Sequence, residues 1–367
     1  MQLIVWIPGS FLTETTNQQD RSQHLKECWN DRLDVLLVAG AGGGKDSATG
    51  CVVIVFMQVE GVFSVPRLSI IVPHISDDAS LETTILSVLE NRPQGSELLV
   101  VHVGNYNDPY KLDHDEIRLV EAPIGSELVE LVSLAASEAC GSILHTLLPG
   151  CCVEANWTAP AMAWFQDATI GAVSPSVMTN DGRSSTYAGL DPHCLPRRSW
   201  CQRIRRGEDA VASMCGGFYR RQTIQALGGW MPMSQREGAE AEMALAMQVL
   251  LMRGIVEPES RLSAPKSVIE GHLGGYALGN YAGKLAMAYS QISPSSLASN
   301  SLAARIGHLA GGLISPTSVA ERLGWVLGVA DRSLVEDVRR RIEQAEVHLS
   351  RRQTKPTTDY QDHRRAA

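Results

Sequence analysis

Arginines crowd one short stretch, at 197, 198, 203, 205 and 206, and guanidinium forks match phosphate oxygens. The stretch is either a phosphate-binding loop or a solvated basic surface. Carboxylates cluster at Glu237, Glu240 and Glu242, just ahead of the apolar run from Met243 to Leu251. A carboxylate held there can take a proton from a hydroxyl, or the three can face solvent on a helix. His74 and Asp77 follow one apolar run, and His102 and Asp108 follow another. The cysteines stand at 28, 51, 140, 151, 152, 194, 201 and 215, with no C-x-x-C pair and so no zinc signature. Cys151 and Cys152 read as packing residues, and with no secretory signal all eight are expected to be reduced thiols in a cytoplasmic protein.

The elements that must position these residues follow from periodicity. Leu68 to Val72 is a buried-type strand ended by Pro73. Asp78 or Ser80 can cap a helix through Leu81, Ile85, Val88 and Leu89, which Pro93 and Gly95 break. Continuous apolar runs at Glu97–Val103, Ile117–Glu121 and Ile143–Leu148 read as further strands, and Glu127–Cys140 has helical spacing. Repeated alternation of strand and helix implies βαβ units and a doubly wound α/β sheet. Ligands on such sheets bind beyond the carboxyl ends of the strands, which points to His74–Asp78, His102–Asp108 and Leu148–Val153. The last third reads as helices over Ser301–Leu309, Pro316–Leu327 and Leu334–Leu349, with a capping box at Ser333–Glu336.

Composition narrows the class. With 44% hydrophobic and 20% charged residues among 367, the chain is expected to be globular, in one or two domains. A formal charge of -8 argues against a general nucleic-acid binder. The apolar stretches at Met1–Ile7 and Cys51–Met57 fall well short of the ~20 residues that span a bilayer. Residues 1–65 differ from the rest in composition. They are expected to be an N-terminal extension, disordered or not native coding sequence, with Met57 as an alternative start. The glycine-rich Gly42-Gly-Gly-Lys-Asp-Ser47 departs from a phosphate-binding P-loop at Ala39 and Asp46, and from the S-G-G-x-D-S loop of ATP pyrophosphatases at Gly42.

The segment Gly141-Ser-Ile-Leu-His-Thr-Leu-Leu-Pro-Gly-Cys-Cys-Val-Glu-Ala-Asn-Trp157 resembles the central signature of family-two glycosyltransferases of the GT-A fold. Ser69–Pro73, Ser87-Val-Leu89, Glu97–Val101 with Gly104, Gly171–Pro175, Asp181-Gly182, and Gly216–Trp230 with Arg220-Arg221 and Gly228-Gly229-Trp230 match further pieces in the same order. The resemblance spans residues 66–262. It implies a GT-A sheet with helices on both faces, followed by a helical region at 263–352 and a disordered tail at 353–367.

The same resemblance implies what the site should do and where it departs. His102 stands at the nucleobase-binding aspartate, with Asp108 further on. Leu148-Pro149-Gly150 replaces the D-x-D that carries Mn²⁺ or Mg²⁺, Val132-Ser133 replaces an Arg-Asn pair, and Ala239-Glu240 occupies the place of the E-D that supplies the base. A diphosphate leaving group builds negative charge that a carboxylate-held cation neutralises, and leucine and glycine hold none. No metal ligand is therefore expected, though the resemblance leaves Mn²⁺ or Mg²⁺ possible, and the basic loop of Arg197, Arg198, Arg203, Arg205 and Arg206 is a candidate to replace the metal. The implied roles are Glu240 as base in an inverting transfer, His74, Asp77, His102, Asp108, Gly150, Arg205 and Arg206 on the donor side, and Gly216, Gly217, Trp230 and Glu242 on the acceptor side. The partners would be a nucleotide-diphosphate sugar and a saccharide or lipid-linked acceptor. The rival implication is an inactive GT-A domain that binds a saccharide, nucleotide or protein; a third is a structural partner that assembles through Leu334–Leu349.

Overall fold

The computed structural model describes residues 37–38, 53–54, 67–75, 77–104, 106, 116–180, 186–190, 196–198, 205–232, 235–270, 275–293 and 316–353. The chain divides into two compact units, Met1–Ser64 and Val65–Ala367. In the first, the described residues form one antiparallel pair, β1 (Leu37–Val38) with β2 (Val53–Ile54).

The second unit is built on a mixed sheet with helices on both faces, the α/β arrangement expected. Its parallel part holds β3 (Leu68–Pro73), β4 (Ser96–His102), β5 (Arg118–Glu121) and β6 (Ile143–Thr146), ordered β6-β3-β4-β5. Strands covered on both faces have no polar side to alternate with, and β3 is buried at every position. The sheet continues from β6 through β11 (Phe218–Arg220) to β8 (Ile170–Thr179), β9 (Thr186–Leu190) and β10 (Pro196–Arg198). β12 (Arg253–Ala264) runs parallel to β8 and pairs at its far end with β7 (Cys152–Val153).

One face carries α1 (Asp78–Asn91) and α3 (Thr158–Trp164), packed on Ile70, Val72, Leu98, Val100 and Phe218. The other carries α2 (Leu128–Glu138), α4 (Arg221–Ala226) and α5 (Arg236–Val249), on Ile71, Leu99, Leu144 and Tyr219. After α6 (Lys266–Glu270) come α7 (Gly275–Ile292), α8 (Pro316–Leu327) and α9 (Arg332–Gln353), whose Ala282, Leu285, Trp325, Val338 and Ile342 extend that second core. The expected helices at Pro316–Leu327 and Leu334–Leu349 are therefore present, while Ser301–Leu309 lies outside the described residues.

Several local expectations need correction. The cap of α1 is Asp77, whose carboxylate accepts from the Ala79 N–H and the Ser80 hydroxyl, because the helix begins one residue earlier than the apolar pattern suggests. The cap of α9 is Asp331 rather than Ser333: its Oδ1 accepts the Leu334 N–H at 2.8 Å and the Ser333 hydroxyl at 2.7 Å. Glu336, expected to close a capping box, pairs with Arg332 instead. Cys140 is disulfide-bonded, against the expectation of eight reduced thiols; Cys151, Cys152 and Cys215 are free. Among the described residues no helix is long and apolar enough to cross a membrane.

Candidate functional site

The carboxyl ends of β3 and β4 bring three rings together. His74 follows β3 and is held in line by its N–H, which donates to Val101 O at 2.7 Å. Its ring is buried, with Nε2 2.8 Å from Asp78 Oδ1 and Nδ1 without a hydrogen-bond partner. A buried polar atom without a partner is uncommon and calls for a reason. His102 ends β4 and is also buried; its Nδ1 accepts the Gly104 N–H at 3.0 Å. Tyr106 lies between the two, with ring centroids 5.5 Å from His74 and 6.2 Å from His102. Sequence reasoning found both histidines and missed Tyr106, whose one signal was an aromatic residue in the turn after a strand. Asp108 lies outside the described residues. Asp77 is exposed and committed to its cap; the Ser80 hydroxyl hydrogen bond holds its carboxyl below the usual range.

Where a D-x-D would stand, Leu148 is buried in the core and Gly150 closes a turn. Gly150 has a left-handed φ of +91°, which favours glycine. Its N–H reaches Thr84 Oγ1 at 2.9 Å and Ser80 O at 3.0 Å, so the turn is tied to α1. None of these groups suits Mn²⁺ or Mg²⁺, which require several oxygen ligands and prefer carboxylates. Among the described residues no three His, Cys, Asp or Glu side chains are grouped to hold a metal.

The charge that the metal would supply is not released elsewhere. Arg206 is paired through Nε with buried Glu257 at 2.8 Å and lies 3.9 Å from Glu259, over the Trp164 ring. With two carboxylates on it, Arg206 is not the uncommitted cation needed to stand in for a metal. Arg205 is exposed and its backbone N–H contacts Glu208. The side chains of Arg197 and Arg198, and all of Arg203, lie outside the described residues.

The residues expected on the acceptor side are engaged by the protein's own groups. Gly216 and Gly217 donate their N–H groups to Ser213 O. A Cβ on Gly216 would come within 2.3 Å of Leu262, and one on Gly217 within 2.7 Å of Ala212. These glycines are required for close packing. The Trp230 ring is buried edge-on against Tyr219 with its indole Nε1 unpartnered, and the backbone N–H of Trp230 donates to Ser133 Oγ at 3.0 Å. Arg220 and Arg221 spend their guanidinium groups on carbonyls, of Phe165, Asp167 and Ile170 and of Ala139.

Glu237, Glu240 and Glu242 do not face solvent; all three are buried on α5. Glu240 is 1% exposed, and its Oε1 accepts from Ser213 Oγ at 2.6 Å and Met214 N at 2.8 Å, with Arg236 Nε 3.4 Å away. Burial raises its proton affinity above the ordinary carboxylate range, against the lowering effect of Arg236. Arg236, one helical turn before Glu240, was readable from that spacing. Glu242 is wholly buried, accepts the Tyr289 hydroxyl and is paired with Arg341 Nε at 2.9 Å.

His145, in the middle of the resemblance signature, sits beneath this network. Its Nε2 accepts from Trp157 Nε1 at 3.0 Å, its Nδ1 lies 3.2 Å from Gly217 O, and it stacks on Phe218 at 3.8 Å. The accepting Nε2 places the proton on Nδ1. Complete burial drives its pKa down from 6.5 to about 3. Above pH 6.5 both folded and unfolded forms are neutral here. Below it the unfolded chain takes up a proton that the fold refuses, so stability falls as pH drops from 6.5 toward 3. The slope from this one group is at most about 1.4 kcal/mol per pH unit. Glu240 acts in the opposite sense, in a window that opens above 4.5. Urea unfolding of the Glu240→Gln variant, which removes that opposing group, at pH 7, 6 and 5 is expected to show a midpoint that falls with pH; a midpoint that rises as pH falls over that interval would contradict the neutral, buried histidine.

Compared by sequence, the chain matches no family model and no curated protein. Compared by structure, it is similar to GT-A-type glycosyltransferases. One is GalNAc-T7 with UDP, GalNAc and Mn²⁺, at 15% identity and TM-score 0.47, covering 74% of this chain and 56% of that one. The chain thus spans little more than half the length of GalNAc-T7. A mannosyltransferase from Pyrobaculum calidifontis with GDP-Man and Mn²⁺ is 15% identical with TM-score 0.45, covering 89% and 94%. S. aureus TarS with UDP-GlcNAc is 11% identical with TM-score 0.46, covering 78% and 92%. Likeness at this level fixes neither a family nor a reaction.

Proposed function

We propose that this chain is a glycosyltransferase-like domain that binds a nucleotide-diphosphate sugar without a metal and does not transfer the sugar. The state of Glu240 carries this reading. The one carboxylate at the base position is 1% exposed, with hydrogen bonds from Ser213 and Met214 and an ion contact with Arg236. A base must reach the proton it abstracts within hydrogen-bond distance, and this one points into the protein. Binding itself is supported by the cluster of His74, His102 and Tyr106 at the strand ends, with His74 Nδ1 buried and unpaired. There a nucleobase would find the partly exposed Tyr106 ring to stack on.

One observation favours the active reading, an inverting transfer to a saccharide or lipid-linked hydroxyl. Burial raises the proton affinity of Glu240, which makes it a better base if the turn from Ser213 to Gly217 swings away. Calorimetric titration with a panel of nucleotide-diphosphate sugars tests the binding reading. At least one donor is expected to bind, and Tyr106→Ala is expected to weaken it about tenfold, the order of a lost aromatic stacking contact. Unchanged affinity in that variant would place the donor elsewhere.

A further inference from the structure

Cys151 and Cys215 are far apart in sequence and meet in the core. Their Sγ atoms are 3.6 Å apart and neither residue is exposed. The Cys151 thiol also reaches the Cys215 carbonyl at 3.1 Å. Each cysteine belongs to a turn that borders the candidate site. The Cys151 N–H closes the turn at Leu148 O, where the D-x-D would stand. Cys215 sits between Met214, which donates to Glu240, and Gly216, which returns to Ser213 O. The two thiols are thus the point at which these turns touch.

A disulfide bond is ~2.05 Å long, so closing this gap takes a movement of about 1.5 Å. Cys152, the adjacent thiol, is only partly buried and bonds with Ser87 instead. Among the described free cysteines it is the competing site for a reagent.

We propose that Cys151 and Cys215 form a reversible intrachain disulfide, with a hydroperoxide as oxidant, that fastens the Leu148–Cys151 turn to the Ser213–Gly217 turn. One thiolate attacks the peroxide, the O–O bond breaks, and a sulfenic acid and an alcohol result. The second thiol then displaces water from the sulfenic acid and the S–S bond forms. Two thiols give up two electrons and two protons, and the peroxide is reduced to alcohol and water. The neighbouring Cys215 thiol and burial hold the Cys151 thiol well above its ordinary range, so the reaction is slow and follows opening of the turns. Once formed, the cross-link holds the Ser213–Gly217 turn over Glu240 and keeps that carboxylate sealed.

The test uses the full chain carrying Cys152→Ser, which removes the adjacent thiol. The protein is incubated with hydrogen peroxide, alkylated after unfolding, digested and mapped by mass spectrometry. A peptide pair joined through Cys151 and Cys215, two hydrogens lighter than the sum and split by dithiothreitol, is expected, together with a raised melting temperature. Cys215→Ala, a smaller side chain in the same place, is expected to lose both. Alkylation of both cysteines after the peroxide is consumed, or linkage of either to another cysteine, would overturn the proposal. Cross-linking needs no sugar nucleotide, so its failure and a failure of donor binding are read separately.

Discussion

Arg341→Ala is expected to lower the free energy of unfolding by about 3–5 kcal/mol, the cost of leaving one charge of a buried pair alone. Arg341 stands on α9 and reaches three groups at once: Glu242 at 2.9 Å, Leu227 O at 2.6 Å and Gly229 O at 2.6 Å. Its side chain is 11% exposed and that of Glu242 is fully buried. Truncation strands the Glu242 carboxylate and removes the donors from two carbonyls in the turn before Trp230. The double variant Glu242→Leu with Arg341→Met is expected to recover much of the loss, because replacing a buried pair by apolar residues of similar size is commonly near neutral. Urea denaturation of the single and double variants measures this. A loss below 1 kcal/mol in Arg341→Ala would mean that the pair is solvated and that α9 does not lock the Gly228–Trp230 turn.

Gly279→Val is expected to separate α7 from α8 and cost at least about 3 kcal/mol, the upper end for overpacking. These helices meet backbone to backbone. A Cβ at Gly279 would lie 1.7 Å from Glu321 O, one at Gly283 2.1 Å from Trp325 O, and one at Gly324 2.2 Å from Tyr276 O. Glycine in a helix costs about 1 kcal/mol relative to alanine, so replacement would help an isolated helix. Here the obstacle is a carbonyl of the partner helix, which no rotamer change moves aside. A thermal unfolding midpoint equal to that of the wild type would show that the two helices are not in this contact.

Such contacts mark the boundary of what the sequence discloses. Strands β3, β4, β5 and β6 were readable because a parallel strand covered on both faces is a continuous apolar run. Helices α1, α2, α8 and α9 were readable from their apolar stripes. β12 was not, since Glu257, Glu259 and Arg261 interrupt it; it is a strand because Glu257 is buried against Trp164 and Arg206. The carboxylates of α5 read equally well as solvent-facing because their partners are remote: Glu242 meets Tyr289 and Arg341, each supplied by another helix. At the site, the histidines at the strand ends followed from the doubly wound pattern. Their junction with Tyr106, and the closure of Glu240 by the Ser213 turn, depend on tertiary packing that no local spacing encodes.

Metal dependence and sugar release, measured together, test the binding-without-transfer reading most directly. The purified chain is titrated with nucleotide-diphosphate sugars by calorimetry, in EDTA and in excess Mn²⁺, and free nucleoside diphosphate is then followed over hours. The expected result is binding to at least one donor with the same affinity in both buffers and no release of diphosphate. Absence of binding to every donor, affinity that requires Mn²⁺, or release that Glu240→Gln abolishes would contradict it.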